Sequence, residues 1–563
     1  ARRQGARDVG PERVQIGLDL AALQPETLDR LFVLGGCAGV SRPAAAQLLR
    51  PLTQMRLGTR VGAAAADLAA ATTISGRVQV RGESAKDSAH PGEVKEILNG
   101  ARPTDRGLPT VSSPERALPI LGEYDVVVAG GGTGGAPAAI GAGRTGAKTL
   151  VVEFQDHLGG VGTVGLISTY YHGYRKGFTA EVDAKITEMG GPVRKGGWNP
   201  VAKRELWRFD ADAAHSEIWY STLACGALVE NGRVKGVIVA TPQGRGVVLA
   251  KAVVDSTGNS DIAVAAGAEF ITTSAEHVAM QGTGLSPRAL GTGYMNTDYS
   301  FADESDPIDQ WRMIVAARQK YRNSYDLSTF IDSRERRRIV GDAFVSPLDI
   351  INGRTWHDTI SLHQSNFDTH GYTVHPIFLI DFPDKAEMIV PVPYRALLPK
   401  GIDGILVTGL AISAHRDSMP ILRMQPCIQN QGYAAGVAAA TIAEQGIPTR
   451  SLDIKALQQH LVEIGSLPEE VLVAQDSAAA PDEAIAAAVS SVVNEYRGLA
   501  LVMEEKEKAL PLLQVAYEKA ATPEAKLVYA NILGMIGDQT GVPTLIETVQ
   551  ATPWDEGWNF RGM

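Results

Sequence analysis

The chain has 563 residues, of which 44% are hydrophobic and 21% charged, and its formal net charge is −10. That length exceeds what one hydrophobic core usually organises, so more than one domain is expected, and the acidic balance without long basic stretches argues against a nucleic-acid partner. No apolar run is long enough for a membrane span, and Cys37, Cys225 and Cys427 fit neither a metal-ligand spacing nor a disulfide framework, so no bound metal is expected.

In chain order, residues 18–69 come first, and they repeat later in the sequence. Set against 392–443 at a constant offset of 374 without gaps, fourteen of the 52 positions are identical. The matches include Pro25 with Pro399, Gly35 with Gly409, Arg42 with Arg416, Gly58 with Gly432 and Gly62 with Gly436. Residues 1–72 therefore read as the tail of a first nucleotide-binding module; separately, a chain that opens on Ala1 is expected to lack the native N-terminus. The stretch 73–121, rich in Gly, Pro, Ser and charge, reads as a linker.

Next comes a β-α-β unit. Tyr124–Gly130 is a short apolar strand, residues 136–147 are Ala-rich and helical in character, and Thr149–Glu153 is a second strand. Between them Gly130-Gly-Gly132-Thr133-Gly134-Gly135 fits G-x-G-x-x-G. Its first glycine allows a tight turn and its second lets backbone approach a pyrophosphate. The third allows close helix–strand packing, and the helix N-terminus offers unpaired N–H groups to phosphate. Glu153, closing the second strand, is placed to bond ribose hydroxyls.

Three later blocks separate a flavin dinucleotide from a nicotinamide one. Leu158-Gly159-Gly160-Val-Gly162-Thr163 carries paired glycines that let backbone pass close to a diphosphate and ribityl chain. Ala252–Asp261 is an apolar strand ending in Thr257-Gly258. Gly404–Gly409 is another strand ending in glycine, and it leads to Arg423-Met-Gln425 and an Ala-rich helix through Gly432, Ala435 and Gly436. A helix N-terminus there would stabilise negative charge on a reduced flavin. Beyond Asp453 the pattern is helical, with amphipathic candidates at 504–519, 523–536 and 542–550 that suggest a HEAT-type unit.

The order of these blocks resembles a large bacterial FAD-dependent oxidoreductase family whose members often carry the provisional label "putative xanthan lyase". The resemblance covers roughly residues 122–445 and implies bound FAD. It also implies an α/β fold: a Rossmann-like, discontinuous FAD-binding domain of the glycine-doublet (GR2) type, an inserted α+β substrate domain and an α-helical C-terminal region. The expected boundaries are 122–270 (with an insertion at about 168–225) and 389–446 for the FAD domain, 271–388 for the substrate domain and 447–563 for the helical region. Residues carried over as FAD contacts are Gly130, Gly132, Thr133, Gly134, Gly135, Glu153, Gly159, Gly160, Thr163, Gly258, Gly409, Gln425, Gly432 and Ala435. Val161, Gly162 and Asn259 depart from the usual pattern without removing a contact that binding needs.

Oxidising an alcohol with a flavin requires a proton acceptor, and His415, between two cofactor segments, is the expected base. Arg423 is expected to hold a substrate carboxylate or the anionic flavin edge. The dense Tyr170–Lys176 stretch puts forward His172 as a catalytic residue and Tyr171 as a substrate contact. The basic run Arg334–Arg338, a solvated helix face on pattern alone, lies in the substrate region by resemblance, with Arg334 and Arg338 as anion contacts. His357, His363, His370 and His375 match no compact metal motif and are expected mostly at the polar surface. The partners expected are a small-molecule substrate, a separate electron acceptor, and a second chain or a homo-oligomer formed through the N-terminal partial module or the helical tail.

Overall fold

The structure is a computed structural model and describes residues 18–73, 90–98, 107–113, 115–190, 197–272, 306–320, 322, 337–369, 373–380 and 386–553. The chain forms two compact units, Ala1–Ala85 with Pro109–Arg116, and Lys86–Leu108 with Ala117–Met563. In the first, a short helix α1 (Arg42–Leu48) precedes a long one, α2 (Pro51–Ala70), each with proline in its first turn, where the missing N–H costs no hydrogen bond. Leu18, Leu23, Ala44, Leu48, Leu57 and Val61 form its small core.

The second unit is built on an eight-stranded sheet. Its strands are β1 (Glu93–Glu96), β2 (Ile120–Ala129), β3 (Thr149–Val152), β4 (Glu217–Trp219), β5 (Leu223–Glu230), β6 (Arg233–Thr241), β7 (Gly244–Asp255) and β8 (Ile405–Val407). The spatial order is β1-β5-β6-β7-β2-β3-β4, with β8 also pairing β7. Strand β7 does two jobs. Its first half pairs antiparallel with β6, and its second half runs parallel to β2 and β8. The parallel centre is apolar on both faces: Val126, Val127, Val128, Val253, Val254, Ile405, Leu406 and Val407 are all fully buried, as sheets covered on two sides require. Strand β8 enters from far downstream, so the domain is discontinuous in sequence.

Two helices cover one face where the parallel strands end: α3 (Gly135–Arg144) and α6 (Gln425–Gln445), the latter preceded by a short helix α5 (Met419–Leu422). A further helix, α4 (Pro200–Ala213), packs beside α3. A methyl added at Gly432 would overlap the Gly134 carbonyl oxygen, and one at Gly436 would overlap that of Ala138. The two helices therefore meet backbone to backbone, which only glycine permits. Gly432 and Ala435, expected as cofactor contacts, are buried inside α6, and Gly432 faces α3 rather than a ligand.

The basic run departs from the helical expectation. Arg337–Ile339 is a strand paired antiparallel with Phe270–Thr272, and Arg338 is only 1% exposed. Arg334 lies outside the described residues. The C-terminal region is helical, with helices at Ile454–Glu463, Asp482–Ser491, Leu499–Glu504, Lys506–Glu518, Pro523–Met535 and Val542–Ala551. Among the described residues no helix is long and apolar enough to cross a membrane.

Candidate active site

The turns that follow β2, β3, β7 and β8 gather at one edge of the sheet. Gly130, with φ +86°, begins the first of them, and a side chain there would meet the Ser256 carbonyl oxygen of the turn after β7 at 2.6 Å. Gly135 lies so close to the Gly130 carbonyl that a methyl would overlap it, which holds the N-terminus of α3 against the turn. Side chains added at Gly132, Gly258 and Gly409 would meet no atom within 4 Å among the described residues. Those three positions border open space at the strand ends.

Glu153 is held at this edge by backbone. Its Oε2 accepts from Gly131 N–H at 2.7 Å and its Oε1 from Gln155 N–H at 2.8 Å. Phe154 N–H also acts on this carboxylate, which leaves about one of its roughly four acceptor positions for a ribose hydroxyl. Burial raises the Glu153 pKa against the lowering effect of those N–H groups.

The glycine doublet closes the cradle. Gly159 N–H donates to Gly131 O at 2.8 Å, and the Thr133 hydroxyl donates to Gly159 O at 3.3 Å. Gly160 lies against Gly132 and Thr133 backbone. Thr163 is buried and spends its hydroxyl on Leu158 O at 2.6 Å, so it shapes the loop from within. On the other side Gly162 abuts Gln425, whose Nε2 donates to Ile167 O at 3.0 Å. The doublet loop thus touches the N-termini of both α3 and α6, where unpaired N–H groups and aligned peptide dipoles favour negative charge. Gln425 Oε1 and Trp207 Nε1 are buried there without a hydrogen-bond partner among the described residues.

Behind the doublet lies a cluster the sequence reading missed. Lys203 of α4 is 1% exposed, with its Nζ 3.7 Å from the centre of the Trp198 ring and 4.9 Å from that of Tyr170. Its Nζ donates to Tyr170 Oη at 3.0 Å, and Trp198 Nε1 donates to Gly162 O at 2.7 Å. Burial pulls the Lys203 ammonium down to about 7, opposed by Asp183.

The second face is formed by α5 and its neighbours. His415 Nδ1 accepts from Asp417 N–H at 3.0 Å, so the neutral ring carries its proton on Nε2. Burial brings His415 down to about 4; Asp417 opposes this, while His375, Arg338 and Arg416 reinforce it. The His375 ring stands edge-on at 5.3 Å, and Arg338 Nε donates to Ala414 O at 3.1 Å. This arrangement suits hydrogen-bond donation from Nε2 better than the proton-accepting role expected of His415. Arg423 is buried and bonded to Asp368 through its carbonyl at 3.0 Å and its carboxylate at 3.2 Å.

His172 and Tyr171 are placed differently. His172 Nδ1 pairs with Glu387 at 2.9 Å, and Tyr171 is 63% exposed beside it. Of the four histidines expected at the polar surface, His370 lies outside the described residues, and His363, in the strand Thr359–Ser365, departs most from expectation. It is fully buried, donates from Nδ1 to Leu422 O at 2.9 Å, and is brought down to about 4 by burial. His357, the buried Asp358 and the exposed Asp476 converge, but Arg395 binds both carboxylates, which makes the group an ion-pair network.

The sequence profile of the FAD dependent oxidoreductase family matches residues 125–328 and 310–461, more than half of the chain. The chain belongs to this family. Among solved structures the oxidoreductase is similar to a geranylgeranyl bacteriochlorophyll reductase-like protein from Thermoplasma acidophilum, at 14% identity over 76% of this chain and 98% of that one, with a TM-score of 0.32. It is also similar to the OxyS anhydrotetracycline hydroxylase from Streptomyces rimosus, at 14% identity over 73% and 76% of the two chains, with a TM-score of 0.31. A search of curated proteins gives no match. FAD is the cofactor of this oxidoreductase, and the residues present fit it. The open positions at Gly132, Gly258 and Gly409, the paired helix N-termini and the partly satisfied Glu153 carboxylate match a pyrophosphate, a ribityl chain and an adenosine ribose.

Proposed function

We propose that this FAD-dependent oxidoreductase dehydrogenates a polyol, sugar derivative or hydroxy acid. Bound FAD supplies a two-electron acceptor for hydride. Gly130, Gly132, Thr133, Gly134, Gly135, Gly159 and Gly160 hold its pyrophosphate by backbone, Glu153 its ribose, and Gly258, Gly409 and Gln425 border its flavin end. The observation that carries the substrate reading is the cluster of His375, His415 and Arg338 beside α5. Its two histidines are neutral at physiological pH, and its guanidinium lies close enough to lower the His415 pKa. His415 Nε2–H holds the substrate oxygen in line, the hydroxyl proton is released to solvent water as the hydride leaves carbon for the flavin, and Arg338 with Arg423 supplies positive charge for a carboxylate, which favours the hydroxy acid among the three classes.

The same donor and charges would serve a reductase of an unsaturated acid, a reading favoured by His415 presenting a proton rather than a lone pair. Anaerobic mixing with panels of hydroxy acids, polyols and sugars separates the two. Bleaching of the flavin near about 450 nm supports dehydrogenation, whereas reoxidation of chemically reduced enzyme by unsaturated acids alone supports the reductase. His415→Ala is expected to lower kcat about 100-fold, the scale of losing one aimed donor. Because His415 titrates near about 4, the wild-type rate should show no inflection from it between about pH 5.5 and 8. An inflection in that range that vanishes in the variant would restore His415 as the base.

A further inference from the structure

The first unit repeats the turns and helices, though not the strand, of the part of the second unit that closes its nucleotide-binding fold. At the offset of 374, the 3-10 turn Leu20–Leu23 falls on the 3-10 turn Tyr394–Leu397. Helix α1 at Arg42–Leu48 falls on Arg416–Leu422, a turn running into α5. Helix α2 starts at Pro51 and α6 at Gln425. Gly35 and Gly409 both have positive φ, +113° and +83°. One long-range hydrogen bond is kept as well: Gly39 N–H to Ala22 O at 2.8 Å corresponds to Ser413 N–H to Ala396 O at 2.9 Å.

The surroundings of the two copies differ. In the second, Ile405–Val407 is strand β8 on β7, and Gly432 and Gly436 receive the backbone of α3. In the first, residues 31–33 pair with no strand among the described residues, and nothing described lies within 4 Å of a methyl placed at Gly58 or Gly62. Glycine is disfavoured inside a helix relative to alanine, so two glycines at the spacing used for close helix contact are unexplained by α2 alone. On the same helix Leu52 is 70% and Met55 68% exposed, whereas their counterparts Pro426 and Gln429 are buried.

We propose that α2 and the Leu31–Val33 segment are a docking surface for the front half of a second dinucleotide-binding domain: a parallel strand edge and a helix opening on a G-x-G-x-x-G turn. The second copy shows what covers such a face, and it shows the order of the parts, front half before closing helix. The occupant is therefore encoded upstream of residue 18 in the same gene product. A second copy of this chain does not fit, because its own α6 already fills the seat against α3. Ser41, Leu49 and Pro51 stand where His415, Arg423 and Gln425 stand in the second copy. The completed first module therefore lacks the polar face next to α5 and serves assembly rather than a second reaction.

The test places a photo-activated benzophenone residue at Leu52 in the full gene product, made in its native host, and sequences the cross-linked peptides. The expected partner is a peptide from the upstream segment that carries a strand and a glycine-rich turn. The paired substitution Gly58→Leu with Gly62→Leu should reduce that cross-link at least tenfold. It should not lower the melting temperature or the flavin content of the 563-residue chain, since a Cβ at either position meets no described atom and leucine suits a helix better than glycine. Cross-links confined to these 563 residues, to a second copy or to an unrelated protein would overturn the proposal, as would no cross-link or one indifferent to the paired substitution.

Discussion

Glu153 is the residue at which the fold and the proposed ligand meet. Its carboxylate ties the glycine turn to the end of β3 through Gly131 and Gln155, and the proposed function assigns its remaining acceptor capacity to ribose. Glu153→Gln keeps one acceptor oxygen but loses the charge and one backbone bond. We expect FAD affinity to fall roughly 10- to 100-fold, the equivalent of one or two charge-assisted hydrogen bonds, measured by fluorescence titration of the apoprotein. Lys203 makes the opposite case, a buried charge that costs stability. Its folded pKa of about 7 lies below its ordinary value of 10.5, so between those pH values the unfolded chain holds the proton and the folded one does not. Stability from this group therefore rises with pH across that window. Lys203→Met should stabilise the protein at pH 6 by on the order of 1–3 kcal/mol, the ring contacts with Trp198 offsetting part of the desolvation. That gain should shrink by pH 9, as chemical denaturation at both pH values would show.

At the scale of elements, the contact between α3 and α6 sets the geometry of the cradle, because it brings two helix N-termini to the same loop. Gly432→Ala would push its methyl into the Gly134 carbonyl and drive the helices apart. A loss of about 1–3 kcal/mol is expected, the usual cost of overpacking, with FAD lost earlier than global unfolding during denaturant titration. Helix and strand identities in this region were legible in the sequence because each obeys a local demand. The turn after β2 needs Gly130 at positive φ, the doublet needs glycine where it crosses Gly132, and β2 and β3 must be apolar on both faces. The basic run was misread because Arg337–Ile339 becomes a strand only through Phe270–Thr272, a partner far upstream. Lys203, Trp198 and Trp207 were missed because their site is assembled by packing between the inserted segment and the doublet, which leaves no spacing in the sequence. Gly432 was assigned to the cofactor because a glycine made for a ligand and one made for a neighbouring helix look alike in one dimension.

At the scale of the whole molecule, the sheet is interrupted between β7 and β8, the proposed cofactor seat lies at its parallel strand ends, and the polar groups beside α5 come both from the intervening chain and from the segment after β8. The proposed reactive face draws Arg338 from one segment and His375, His415 and Arg423 from others, so the substrate reading depends on the cofactor resting where Gly132, Gly258 and Gly409 leave room. The most direct test of that placement is an absorption spectrum of the purified chain before and after acid precipitation, repeated on Gly132→Leu, whose Cβ would enter the open space with no described atom within 4 Å. The account predicts flavin bands near about 370 and 450 nm that pass into the acid supernatant as FAD, with the variant folded but colourless. A wild-type protein that is colourless and takes up no added FAD would contradict it, as would a Gly132→Leu variant that binds FAD as well as the wild type.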